Sequence, residues 1–354
     1  MRPALHTTPL AARRFLRRVL ALDQPHADIA TALAHHGYIQ IDPVNICGRM
    51  HDLTLRNRVR DYGEGALHEF IHSARRPGFE HYLPGQGILA AFPPDAWPYL
   101  TGRMMRRRRL RNPYHGKLTP REAALADHIL AEMTARGPLT SDAIEHDGRA
   151  ATAWGTRGRL VKRVFEKLFA HGRILITARK NFRRVYDLPE RVLPAAVLAL
   201  APHPERDVAA WITLAKLRQR RLVTLKRDEL PLVADRIQPV VIDGADCPLL
   251  YCLRNDAPLL SALESQESKI ENSAGPLLLA PLDPIIYDRR VTAALWGFDY
   301  TWEVYTPRHK RVRGHYALPI LTGTEFVGHA DLKADREAGK LRVVSRRVRR
   351  GCRH

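Results

Sequence analysis

An amide and a carboxylate stand two positions apart in the stretch Gly37-Tyr38-Ile39-Gln40-Ile41-Asp42-Pro43-Val44. In an extended segment such residues share a face, whereas on a helix they diverge by about 200°. The alternation of Ile39 and Ile41 with Gln40 and Asp42 fits the extended case, and Pro43 pushes Asp42 toward it. A carboxylate placed this way can accept a proton or stabilise a nearby cation, and the amide beside it can orient a water. Asp before Pro is also an ordinary turn opener. The spacing therefore marks Gln40 and Asp42 as catalytic candidates without naming a reaction.

The surrounding elements must present that pair. Thr8-Pro9 opens a helical spacing through Leu10, Phe15, Leu16, Val19 and Leu20. Pro25 opens a second run through Ile29, Leu33 and His36, and Gly37 stops it. Ile46, Met50, Leu53 and Leu55 predict a third helix over 44–60, with Cys47 and His51 sharing a face as packing residues. Helix, helix, short strand, helix is how a winged-helix unit begins. Residues 61–98 hold His68, His72, Phe79, Glu80, His81 and Tyr82, then Pro84-Gly85-Gln86-Gly87 and prolines around Trp97. They read as an irregular loop, either lining a site or simply connecting. The Arg106 to Arg109 run reads as a solvated linker or a phosphate contact.

The chain has 354 residues, room for two or three domains at about 100–200 residues each. Lys and Arg total 57 against 37 Asp and Glu, a formal charge of +20. That excess points to a polyanionic partner, although a GC-rich genome also enriches Arg. The four cysteines, Cys47, Cys247, Cys252 and Cys352, fit no zinc spacing and no disulfide framework. No apolar run reaches membrane-spanning length, and the first twenty residues lack a secretory core. The expected setting is the cytoplasm, with no membrane association.

Residues 119–190 carry the clearest pattern. Thr119-Pro120-Arg121-Glu122 starts a helix that Gly137-Pro138 stops, Leu139 to Asp142 begins a short second one, and a third runs from about Arg157 to Leu168. Strands at 174–178 and 183–188 then flank a basic tip. Three helices and a hairpin form the winged-helix pattern. Its third helix would carry Arg157, Arg159, Lys162 and Arg163, and its wing Arg179, Lys180, Arg183 and Arg184. Residues 204–260 repeat the theme with fewer cations, and Glu264, Glu267 and Glu271 mark an exposed segment or linker. From Leu277 short strands are predicted at 300–306, 315–320, 325–332 and 341–345. A basic connection through Arg308, His309, Lys310 and Arg311 joins the first two, and the tail from Arg346 to Arg350 should fray.

Four stretches, in order, carry a resemblance. They are Gln40-Ile41-Asp42 with its following helix; Leu278 to Arg290; Phe298 to Leu318, with Glu303-Val304-Tyr305 and Tyr316-Ala317-Leu318-Pro319; and Gly328-His329-Ala330-Asp331-Leu332-Lys333-Ala334-Asp335-Arg336. Together they resemble the bacterial winged-helix DNA glycosylases of the AlkZ and YcaQ type. The resemblance implies an α+β fold of three tandem winged-helix units and a small C-terminal β-barrel. With the pattern above, this places units at 1–112, 113–200 and 201–272, and the barrel with its tail at 273–354. It implies excision of alkylated bases, chiefly N7-alkylpurines, from double-stranded DNA by a monomer that needs no cofactor and no metal. Gln40 and Asp42 fall on the family's catalytic motif, in the Gln-x-Asp form of the crosslink-unhooking branch. The Arg106–Arg109 run and Pro84-Gly85-Gln86-Gly87 depart from the family pattern.

Two other classes stand beside this expectation. A winged-helix regulator would bind DNA without needing the Gln40/Asp42 pair. A nuclease would need a metal-binding carboxylate cluster, and no Asp, Glu and His group shows that spacing.

Overall fold

The structure, a computed structural model, describes residues 2–151, 157–265 and 275–349. Glu267, Glu271, Arg350 and Cys352 lie outside the described residues. The chain divides into two compact units, one of 1–37, 42–64 and 212–354, the other of 38–41 and 65–211.

In the second unit, the helix Pro120–Arg136 buries Leu125, Ala126, Ile129 and Met133, the stripe expected from its spacing. Thr119 and Glu122 close a reciprocal capping box at its start, and Gly137 ends it at φ 84°. The stripe packs on Leu160, Val161, Val164, Phe165 and Leu168 of the helix Leu160–Ala170, and on Ile174, Ile176 and Tyr186. The hairpin Leu175–Lys180 and Arg183–Asp187 turns through Asn181 and Phe182, whose φ values are 49° and 64°. Two consecutive left-handed residues are what a two-residue hairpin turn with the native twist requires. Two expectations shift here. Arg157–Arg159 forms a short strand paired with Arg149–Ala151, so the helix begins at Leu160. The short second helix is a 3₁₀ turn, Ser141–Ala143, and Leu139 pairs with Tyr186 instead.

The stretch read as a loop is ordered. Ala66–Ile71 is a helix, and Phe79–Tyr82 and Leu89–Phe92 are paired strands. Leu89–Phe92 is the central strand, with Ile39–Gln40 on its other side. Most residues of these strands are buried, so no alternation revealed them.

In the first unit, the helix Pro9–Val19 packs Ala12, Phe15, Leu16 and Val19 into a core with Val240, Ile242, Leu250 and Leu260. Leu5–Thr7 pairs in parallel with Ile237–Ile242, which in turn pairs antiparallel with Leu250–Leu253. Residues 44–60 are not one helix. Only Met50–Arg56 is helical, because Asp42 draws the Val44 N–H into a local turn and so competes with helix. Cys47 precedes that helix and shares no helical face with His51.

The C-terminal strands Leu277–Leu278, Ala317–Thr322, Glu325–Asp335 and Lys340–Val348 form one antiparallel sheet in that order. Among the described residues no sheet closes into a barrel. The sheet stays open because Lys340–Val348 is an edge strand, exposed throughout and studded with Arg342, Arg346 and Arg347, a composition that discourages further pairing. Residues 300–306 are not a strand, and 346–348, expected to fray, belong to the edge strand.

Arg58 and Asp283 are both fully buried, and the guanidinium donates to both carboxylate oxygens at 2.8 and 2.6 Å. Removing one partner strands the other charge out of water. We expect Asp283→Asn to lower the unfolding free energy by about 3–5 kcal/mol, read as an earlier urea midpoint at unchanged m-value. An unmoved midpoint would show that water relieves the unpaired Arg58.

Candidate functional site

Strand pairing fixes Gln40 in the second unit. It stands opposite Ala90, and the next residue's N–H donates to the Leu89 carbonyl at 2.8 Å. Ile39 and Ile41 are buried, while the Gln40 side chain is half-buried and has no protein hydrogen bond among the described residues. The unit boundary falls after Ile41, so Asp42 begins the next segment of the first unit. Asp42 is half-buried, and its Oδ1 accepts the Val44 N–H at 2.9 Å. Its other oxygen has no protein partner among the described residues. Burial raises the Asp42 pKa above the ordinary value, and the Val44 N–H offsets part of that rise.

Val44, Ile46, Cys47 and Leu53, all in the segment after Asp42, pack on Tyr316, Leu318, Ala330 and Leu332 of the C-terminal sheet. Tyr316 is wholly buried, and its hydroxyl has no hydrogen-bond partner among the described residues. Burial first, then the charges of Cys47 and Asp42, push its pKa up, so it is a neutral phenol at any working pH.

The predicted DNA-contacting residues separate into two sets. Lys162 and Lys180 are exposed and make no ion pair among the described residues, and Arg183 is 75% exposed beside Asp142 at 3.0 Å. Arg308, His309 and Lys310 form an exposed 3₁₀ turn, next to Tyr305 at 82% exposure. Arg311 closes that turn by donating to the Thr306 carbonyl at 2.7 Å. Arg159, Arg163, Arg184 and Arg179 face protein. Arg159 bonds Asp142 at 2.8 Å and the Ile144 carbonyl at 3.0 Å. Arg163 pairs with Glu122 at 2.9 Å and bonds the Pro113 carbonyl at 2.6 Å. Arg184 pairs with Glu166 at 2.9 Å, and Arg179 turns inward onto Glu80. Arg157 stands on its short strand.

The organising roles of Glu303, Asp331 and Glu80 were not legible in the sequence. Glu303 accepts the backbone N–H groups of Val312, Arg313 and Gly314 at 3.0, 2.8 and 3.0 Å. Burial opposes its charge, but those donors and Arg313 hold its pKa below the ordinary value. Asp331 accepts from the His315 and Tyr316 backbones at 2.9 Å each. Together they pin the connection carrying Arg308 and Lys310. Glu80 is fully buried among Arg179, His68 and His72. Burial works against its ionised form, but the three donors outweigh that and keep it well below the usual carboxylate range.

Among the described residues two side-chain groups could hold a metal ion: His26 with His35 and His36, and His68 with His72 and Glu80. The first is ringed by Arg58 and Arg221. Burial, aided by Arg221, lowers the His35 pKa to about 4, and burial with Arg58 and Arg221 holds His36 well below its ordinary value. The same charges oppose a bound cation. The second includes a carboxylate, Glu80, whose negative charge offsets that of the neighbouring Arg179.

A basic α+β protein with small sheets, exposed cations on a hairpin tip and a short turn, and a half-buried carboxylate at Asp42 has the features of a DNA-acting enzyme. The structure of the Streptomyces sahachiroi DNA glycosylase AlkZ is similar to this one at a TM-score of 0.59 and 15% identity, over 98% of this chain and 93% of that chain. That likeness speaks to the fold. The sequence model of the AlkZ-like DNA glycosylases matches residues 33–351, and the chain belongs to that family. It is accordingly a DNA glycosylase of DNA repair, with DNA as its substrate. No helix among the described residues is long and apolar enough to cross a membrane.

The split among the cations makes a prediction. Lys180→Ala should lower the slope of log affinity for duplex DNA against log salt by about one, at unchanged melting temperature. Arg184→Ala should lower the melting temperature, because it leaves Glu166 without its guanidinium. An unchanged slope for Lys180→Ala would take the hairpin tip off the DNA surface.

Proposed function

We propose that this protein hydrolyses the N-glycosidic bond of N7-alkylated purines in double-stranded DNA, with Gln40 and Asp42 as its catalytic pair. N7 alkylation puts a positive charge on guanine, so the base already leaves well and needs little help from an acid. Water attacks C1′ as the C1′–N9 bond breaks, and the bonding electrons neutralise the departing base. Asp42 stabilises the oxocarbenium-like sugar and accepts the water's proton, and Gln40 holds the water. The sequence asks for no lysine Schiff base and no metal in this reaction. The observation that carries the reading is Asp42: a desolvated carboxylate with one oxygen fixed by Val44 and the other without a protein partner among the described residues. It lies two residues from an uncommitted amide, in a chain of the AlkZ-like family.

Within this reading the helices and hairpins form three winged-helix units, bounded at 112, 200 and 272, ahead of the C-terminal sheet. Lys162, Lys180 and Arg183 on one unit, and Arg308, His309 and Lys310 on the other, take phosphates. Interstrand crosslinks at N7 share the cationic leaving group and are a further substrate class. The enzyme acts as a monomer in the cytoplasm.

The test is a duplex bearing one N7-methylguanine, incubated in chelator and then treated with alkali, beside a no-enzyme control. Wild type should give scission above spontaneous depurination. Asp42→Asn should lose about 100-fold or more of the rate while keeping DNA affinity. Scission by both proteins alike would remove Asp42 from the chemistry. Tight binding with no scission of this lesion or of a crosslink would favour a non-catalytic binder.

The pH dependence has a defined sign. Asp42 must be ionised to act, and its folded pKa is raised, so the acid limb of the rate profile should fall above the ordinary aspartate value of about 3.9. A raised carboxylate pKa also means that the native fold binds this proton more tightly than the unfolded chain. The charge therefore costs stability above the folded pKa. Asp42→Asn, which keeps the Val44 hydrogen bond, should melt at the same or a higher temperature at neutral pH. A clear drop would contradict this assignment.

A further inference from the structure

The geometry points to a divalent transition-metal site, best suited to zinc, formed by His68, His72 and Glu80 beneath the hairpin tip of the second unit. His68 and His72 are four residues apart on the helix Ala66–Ile71 and its C-cap, so they project from one face. Their rings stack with planes 5° apart. The neighbouring strand supplies Glu80. Its Oε1 lies 3.4 Å from His68 Nδ1 and 2.9 Å from His72 Nε2, and the three ligand atoms lie within 4.8 Å of one another. Bonds of about 2.0 Å at the tetrahedral angle place two ligands about 3.3 Å apart. The two measured edges bracket that value, and the third is no longer than 4.8 Å.

Two imidazoles and one carboxylate suit zinc, with a water at the fourth position. The site is enclosed but reachable, with side-chain exposures of 12% for His68 and 8% for His72. A second shell is already built. Arg179 donates to both oxygens of Glu80, which orients the carboxylate and still leaves Oε1 turned to the histidines. The Arg179 guanidinium also lies 4.4 Å from the Phe182 ring centroid, and Phe182 meets the His68 ring at 5.5 Å. A metal here would therefore tie the helix, the strand and the turn of the basic hairpin into one rigid corner. Without it, His72 donates its Nε2–H to Glu80, so the site exists in both forms. The proposed base excision routes no step through it.

Zinc retention by the full-length protein, dialysed against micromolar zinc and measured per chain, tests this. Wild type should hold one zinc. His68→Ala and His72→Ala should each weaken it by at least about tenfold, and His26→Ala should not. His72→Gln keeps a donor for Glu80 and should melt like the metal-free wild type, yet lose zinc. Cobalt in place of zinc should give the visible bands of a tetrahedral nitrogen and oxygen site. Three results overturn the proposal: no retained zinc, retention indifferent to both histidines, or a thiolate-to-cobalt band that assigns the metal to cysteine.

Discussion

The buried pair of Arg58 and Asp283 is the contact on which the first unit depends. Two charges taken fully out of water are tolerable only when each satisfies the other. Here the guanidinium meets both carboxylate oxygens and also donates to the Thr54 carbonyl at 3.0 Å. The pair ties the short helix after Asp42 to residues more than 200 positions later. Neighbouring contacts repeat the tie. Asn57 donates to the Leu278 carbonyl at 2.9 Å, and the Ala334 N–H donates to the Ile46 carbonyl at 2.9 Å. A segment of 23 residues, 42–64, is thus held by the C-terminal part of the chain and has no core of its own. The position of the candidate carboxylate is fixed by residues far from it in sequence.

Arginine does two jobs here, and composition cannot tell them apart. Arg58, Arg179 and Arg184 are internal fasteners, each spent on a carboxylate. Lys162, Lys180, Arg183 and the turn at 308–310 reach solvent. The formal charge of +20 remains a sound argument for a polyanionic partner, because pairing inside the fold does not change the net field. It is a poor guide to which cation touches that partner. The hairpin shows this directly, since Arg179 and Lys180 are adjacent in sequence and have opposite fates.

What could be read in advance followed from local rules. The helix at 120–136 announced itself through its cap, its apolar period and its glycine stop. The hairpin at 175–187 did so through two apolar runs around a basic tip. The strand that carries Gln40 followed from the alternation with Ile39. What failed was non-local. Leu5–Thr7 is too short to register as a strand, and its partner lies more than 230 residues away. Phe79–Tyr82 and Leu89–Phe92 lack alternation because a third strand and packed neighbours bury them. The expected barrel needed strands at 300–306, but Glu303 gathers three backbone donors there and makes a loop. The spacing of His68 and His72 was visible, yet only strand pairing brings Glu80 to them.

Burial of Asp42 has a direct electrostatic consequence for the reaction proposed here. A carboxylate in water interacts weakly with a cation because solvent screens both, and partial removal from water strengthens that attraction severalfold at the same distance. The cost is a raised pKa, which limits how deep the group can sit before it becomes neutral and useless. The Val44 N–H sets that balance, steadying the ionised form without occupying the second oxygen. A deeper carboxylate without such a donor would be protonated, and one bonded on both oxygens would have nothing left to offer. An enzyme whose substrate base is already cationic needs no strong general acid, so a single carboxylate held between those extremes, with an amide to place water, is sufficient for the chemistry.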